Sequence, residues 1–211
     1  MIKNMAIENM MANNRASKAL EDSRNRRSRQ FSKGESIMYV IRGGCLYNEG
    51  KPVMSIRTTL GSQEMEIIDS AQKPIFRTSV VDADEVSPVK SGDVRNKRYV
   101  IRDMEGHTYA SGRPEYAPSE APEKKGWPVN RLPMADDVDM YMEDRHFHIH
   151  MNNSRDYDIS DGTGTHSMNV HHKGLMGGWD IETEEKLKPE DICGIFVFCR
   201  YLERENEFDI V

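Results

Sequence analysis

At 211 residues with 37% hydrophobic content, the chain has the length for one large domain or two small ones and enough apolar material for a core. Its 29 Lys and Arg against 35 Asp and Glu give a formal charge of -6, which argues against wholesale binding to nucleic acid, because neutralising phosphates needs an excess of cations. Three cysteines, Cys45, Cys193 and Cys199, make no disulfide framework. With no signal-peptide-like run at the start and no stretch of about 18 apolar residues, the expectation is a cytoplasmic protein with reduced thiols and no transmembrane segment.

Residues 1–34 differ from the rest. A Met- and Asn-rich piece leads into "RNRRSRQ", where Arg24, Arg26, Arg27 and Arg29 cluster. This helical or flexible arm is a candidate contact for an anionic partner such as a lipid surface. The overall negative charge favours the plainer reading, a solvated tail or a helix resting on the domain.

Strand signals start at Ser36. "SIMYVIR" is a β-branched and aromatic run, broken at Gly43–Gly44 and resumed as "CLY". "NEGK" reads as a turn, "PVMSIRTTL" and "QEMEII" as strands, "DSAQK" as a polar break and "PIFRTSVV" as a further strand. Turn signals at this spacing predict an antiparallel meander closed as a sandwich or barrel. After a loop-like segment, "RYVIRDMEGHTYASG" reads strand, turn, strand, and repeats the Tyr-Val-Ile-Arg of residues 39–42. The recurrence is consistent with two quasi-repeated halves or with chance. Residues 112–139 carry five prolines and little periodicity, and read as a long irregular excursion. The acidic groups of "MADDVDMYMED", which overlaps its end, read as a solvated loop rather than a paired-carboxylate site. "RHFHIHMN", "RDYDIS", "SMNVHH" and "WDIET" then read as strands.

The final segment carries most information. Pro189, Glu190 and Asp191 suit a helix start. From Ile192 to Leu202 every residue except Gly194 and Arg200 is apolar or aromatic. A helix apolar all round must be surrounded, and this one, near 189–204, is too short to span a bilayer. The predicted solution is a helix threading a closed barrel, with Ile195, Phe196, Val197, Phe198 and Leu202 each contributing about 1.5–3 kcal/mol by burial.

"YVIRGGCLYNEGKPVMSI", "EMEIIDSAQKPIF", "YVIRDMEGHTY" and "DICGIFVFCRYLERE" together resemble the tubby C-terminal-like superfamily, which includes tubby proteins, plant LURP-one-related proteins and phospholipid scramblases. The resemblance implies a mainly β fold over residues 35–211, an antiparallel closed barrel of about twelve strands around a buried hydrophobic C-terminal helix. For function it implies a non-catalytic barrel that binds a ligand, either a lipid headgroup or a protein partner. Where such proteins place Asp and Gly in a turn, Asp103 and Gly106 fit, whereas the other unit reads Asp69-Ser-Ala-Gln72. No position here carries the phosphoinositide-contacting basic residues of tubby.

"HFHIH" places His146, His148 and His150 at alternate positions, on one strand face opposite Phe147 and Ile149. Same-face imidazoles can share a transition metal such as zinc, and His171 and His172 are candidates to join them. The alternative is a polar outer face over an apolar inner one. The metal reading would make the protein a small metal-dependent enzyme. "DYDISDGTGT" lacks the spacing of a calcium loop and reads as a turn. The glycines of "GTGTH" and "GLMGG" lack the context of a nucleotide loop, and Cys45 reads as structural.

Overall fold

The structure, a computed structural model, describes residues 36–59, 62–82, 97–116, 135–152, 155–174, 177–184 and 186–206. The arm at 1–34, with Arg24, Arg26, Arg27 and Arg29, lies outside the described residues.

Twelve strands follow one another in chain order: β1 Ile37–Arg42, β2 Cys45–Asn48, β3 Lys51–Thr58, β4 Met65–Ile68, β5 Pro74–Asp82, β6 Lys97–Asp103, β7 Thr108–Tyr116, β8 Ala135–Met142, β9 Arg145–Met151, β10 Tyr157–Asp161, β11 His166–His172 and β12 Trp179–Thr183. Each pairs antiparallel with its chain neighbour, and β1 pairs with β12 to close the barrel. Closure removes unpaired edges. Alternation along the strands supplies the core: Tyr39 and Ile41 of β1, Tyr99 and Ile101 of β6, Val138, Met140 and Met142 of β8, and Phe147 and Ile149 of β9 are all buried.

Both Tyr-Val-Ile-Arg copies are staves of the barrel, in β1 and β6. In this antiparallel ring odd and even strands run in opposite directions, so β1 and β6 are not related by rotation about the barrel axis. The recurrence is not the mark of two rotated halves.

Helix α1, Pro189–Glu205, follows the last strand and packs against β3, β4, β6, β8 and β9, strands from opposite sides of the ring. Ile192, Cys193, Ile195, Val197, Phe198 and Cys199 are fully buried, as is Leu202, and Phe196 is 4% exposed. All these side chains belong to one cluster with the inward strand residues. The helix fills the barrel. Proline opens it, Glu190 and Asp191 lie in its first turn, and the Asp191 side chain accepts the Lys188 amide at 3.3 Å. Asp191 is buried, and its carboxylate is satisfied by the Tyr109 hydroxyl and by Arg145. Further along, Tyr201 and Thr78 share a hydroxyl hydrogen bond at 2.6 Å, the Tyr157 hydroxyl donates to the Cys199 carbonyl, and Lys97 pairs with Glu205 at 2.9 Å. Burial pushes the Tyr201 phenol up to about 12. Among the described residues no helix is long and apolar enough to cross a membrane. Cys45, Cys193 and Cys199 are free, the last two buried, and burial pushes both buried thiols up.

Three hairpins on one rim share a turn. Asp69, Asp103 and Asp161 each donate their amide to the carbonyl four residues on and accept, through Oδ1, the amides two and four residues on. The fourth residue of each turn needs positive φ: Gly106 at 94°, Gly164 at 81°, and Gln72 at 64°. The Asp69–Gln72 departure noted in the sequence is therefore the same turn with a strained residue in the glycine position. "DYDISDGTGT" contains the third of these turns, not a calcium loop.

Two expectations are corrected. Residues 112–139 are not one irregular excursion: 112–116 complete β7, and 135–139 begin β8. "MADDVDMYMED" is not a solvated loop either. Ala135, Val138, Met140 and Met142 of β8 face the core, and Asp137, Asp139 and Tyr141 alternate with the last three. The acidic residues, poor strand formers by propensity, are on the solvent side, where they cost the core nothing.

Candidate functional site

With the interior filled by α1, the histidines of β9 stand on the outer wall formed by β6–β10. Register builds it in rows. Arg113 lies opposite Asp139, which lies opposite His148, which lies opposite Ser160. Beside that row run Ser111, Tyr141 and His146, and on its other side Glu115, Asp137, His150 and Asp158.

The three histidines of β9 share one face, as their alternation requires, and Phe147 and Ile149 face inward. The groups they meet were not legible in their own strand. His146 Nε2 lies 3.1 Å from Asp139 Oδ1, and His148 Nδ1 lies 3.2 Å from the same oxygen. His148 Nε2 is 3.1 Å from Asp137 Oδ1, and His150 Nδ1 is 2.7 Å from it. The result is a ladder in which imidazoles and carboxylates alternate: His146, Asp139, His148, Asp137, His150. Tyr141 stacks on His146 with ring centroids 4.6 Å apart and is 57% exposed. His171 and His172 do not join the ladder, because β10 separates them from β9. His171 pairs with Asp156 at 3.0 Å, and the His172 ring lies against Trp179.

Electrostatics follow from this crowding. Partial burial pushes the Asp139 carboxyl up, but hydrogen bonds from His148 and His146 outweigh it and hold the group below its ordinary value. Glu115 is shifted the other way. Partial burial disfavours its charge, and the neighbouring Asp139 and Asp137 add repulsion.

Next to the ladder lies a groove of about 500 Å³, lined by Arg98, Arg113, Glu115, Asp139, Tyr141 and the β7 backbone at Ser111–Pro114. Gly112 is required here by close approach from within: a Cβ would stand 2.6 Å from the Asp139 carbonyl oxygen and 2.6 Å from the Phe198 ring. Sequence reasoning missed Asp137, Asp139, Arg98 and Arg113, whose roles depend on cross-strand register.

The donor set of the ladder, imidazole nitrogen and carboxylate oxygen, suits a zinc-like ion. Among the described residues, however, no three His, Cys, Asp or Glu side chains are grouped so that they could hold a metal. Binding one would require the hydrogen bonds of the ladder to be exchanged for coordination at about 2.0–2.2 Å.

No family model matches the chain. No curated protein matches it. Among solved structures it is similar to the X-ray structure of a protein from Arabidopsis thaliana, at 11% identity and a TM-score of 0.34, covering 80% of this chain and 92% of that one.

Proposed function

We propose that the protein is a non-catalytic binding module, a barrel of the tubby C-terminal-like kind, whose β6–β9 outer wall receives a protein partner. The observation that carries this reading is the combination of a filled interior with a polar outer wall. A barrel with an open lumen can hold a small ligand inside, but here α1 takes that space. What the molecule presents instead is a groove flanked by an exposed tyrosine, two arginines and the His–Asp ladder. Tyrosine and arginine are enriched where protein surfaces bind tightly. The mixed charge of the wall favours a protein surface over an anionic bilayer, which selects uniformly basic patches. The test is affinity capture with the full chain and with Tyr141→Ala, His148→Ala and Arg57→Ala, on β3 outside the wall, quantified by mass spectrometry and repeated with purified partner. The expected result is a partner retained by the parent and by Arg57→Ala but lost from the other two. Equal retention by all four chains refutes the assignment of the wall.

A second reading rests on the ladder itself. Three imidazoles and two carboxylates on adjacent strands would, on rearrangement, supply nitrogen and oxygen ligands for a transition ion, and so a metal-dependent enzyme. Calorimetric titration with zinc would then give stoichiometric binding that His148→Ala weakens strongly. Absence of heat above dilution removes this reading.

A further inference from the structure

The groove has a polarity that the net charge of the chain conceals. Tyr99 lies opposite Gly112 and Val100 opposite Ser111, and continuing that register by one step sets Arg98 directly across from Arg113. Tyr99 is fully buried, so Arg98 is on the outer side, and both arginines line the groove. Like charges directly opposite on paired strands are destabilising. Arg113 is partnered, but Arg98 has no hydrogen-bond or ion-pair partner among the described residues. One step further round the ring, Arg77 lies opposite Arg102, and Arg77 is relieved by Glu66 at 3.6 Å. The β5–β7 side of the wall is thus arginine-rich in a chain of net charge -6, and the Arg98–Arg113 pair is left without an internal neutralising acid for Arg98.

Resting on the proposed reading of the wall as a partner surface, we infer that the partner presents an acidic segment whose carboxylates enter the groove between Arg98 and Arg113. The guanidinium fork matches a carboxylate in geometry as well as charge. A carboxylate there supplies Arg98 with the partner it lacks among the described residues. Tyr141 offers a flat face at the end of the groove toward the ladder. Asp139, directly across from Arg113, and Glu115, two residues along β7, exclude a uniformly anionic surface and centre the acidic contact on the Arg98 side of the groove.

The test uses the full chain and a labelled peptide of alternating glutamate and serine, followed by fluorescence anisotropy. Binding is expected, weakening as salt rises. The Arg98→Ala/Arg113→Ala double variant should lose about tenfold or more in affinity, and Arg57→Ala, on β3 and three strands away from Arg98, should change nothing. Circular dichroism melts of each variant separate loss of binding from loss of fold. Should the double variant melt early, the milder Arg98→Gln, which keeps a polar side chain while removing the charge, carries the test with a smaller loss. Equal weakening by Arg57→Ala, or no binding by the parent, overturns the inference. So does binding of phosphatidylserine vesicles, but not peptide, in an Arg98-dependent manner. If the peptide fails while partner capture still depends on Tyr141, the wall reading stands and the acidic segment falls.

Discussion

Replacing Phe198 or Phe196 with serine, one at a time, tests whether α1 has a solvent face. The two residues lie two apart and so point about 200° away from each other round the helix. Phe198 is fully buried, meets Tyr99 edge to face at a centroid distance of 5.6 Å, and lies over Gly112. Phe196 is 4% exposed and meets the Trp179 ring at 5.0 Å. Removing a buried phenylalanine costs about 3–5 kcal/mol, and an unpartnered buried hydroxyl adds about 1–3 kcal/mol. Each serine variant should lose roughly 5 kcal/mol, a large part of the about 5–15 kcal/mol that typically holds a domain together. Phe198→Leu keeps most of the volume and should lose only about 1–1.5 kcal/mol. Urea denaturation followed by far-ultraviolet circular dichroism reads the difference. With a slope of about 2 kcal/mol per molar, a 5 kcal/mol loss moves the midpoint by about 2 M. A parent-like midpoint for either serine variant would mean that one side of the helix faces water, and the plugged barrel would be wrong.

Other perturbations probe separate parts. Gln72→Gly removes a positive φ that costs a side chain about 1–2 kcal/mol, partly offset by the greater freedom of the unfolded glycine; thermal melts should rise by an amount equivalent to about 0.5–1 kcal/mol, and a fall would refute the shared-turn argument. Glu115→Gln should stabilise the fold at neutral pH by less than about 1 kcal/mol, because the side chain is mostly exposed and only slightly desolvated. The folded Glu115 carboxyl titrates above its ordinary value of 4.5, so its ionisation disfavours the folded state at higher pH and not below 4.5, where both states hold the proton. The gain measured by urea titration should therefore vanish in acid. Asp139, held below its ordinary 3.8, works in the opposite sense: its contribution is present above that value and is lost as pH falls through the folded one. Ending the chain before Pro189 should give an aggregating product without a cooperative melt.

The barrel was legible in the sequence wherever packing left a simple pattern. Ile192–Leu202 has no polar face, so only a fully surrounded helix suits it, and "HFHIH" alternates so strictly that its inward and outward sides could be assigned from the residues alone. Eleven strands follow from such runs. The twelfth, β8, was hidden because Asp137 and Asp139 are weak strand formers and masked the inward Val138, Met140 and Met142. The same strand holds the half of the ladder that the sequence did not reveal. A histidine at 148 states its own face, but its carboxylate partners lie 9 and 11 residues back, reached through a hairpin whose register no local pattern specifies. Arg98 and Arg113 are likewise neighbours only because β6 and β7 pair with the register they do.

The position of α1 in the chain has a consequence for biosynthesis. All twelve strands leave the ribosome before the segment that fills them, and the seam joins residues as distant as Ile37 and Thr183. Until α1 emerges, the inward side chains of the sheet have nothing to pack against, and β1 and β12 remain unpaired templates for other chains. Contacts of such long sequence separation form slowly, and nascent sheets with bare apolar faces aggregate. Folding of this barrel therefore waits for α1, and the interval between synthesis of β1 and of α1 is when the chain most needs a chaperone.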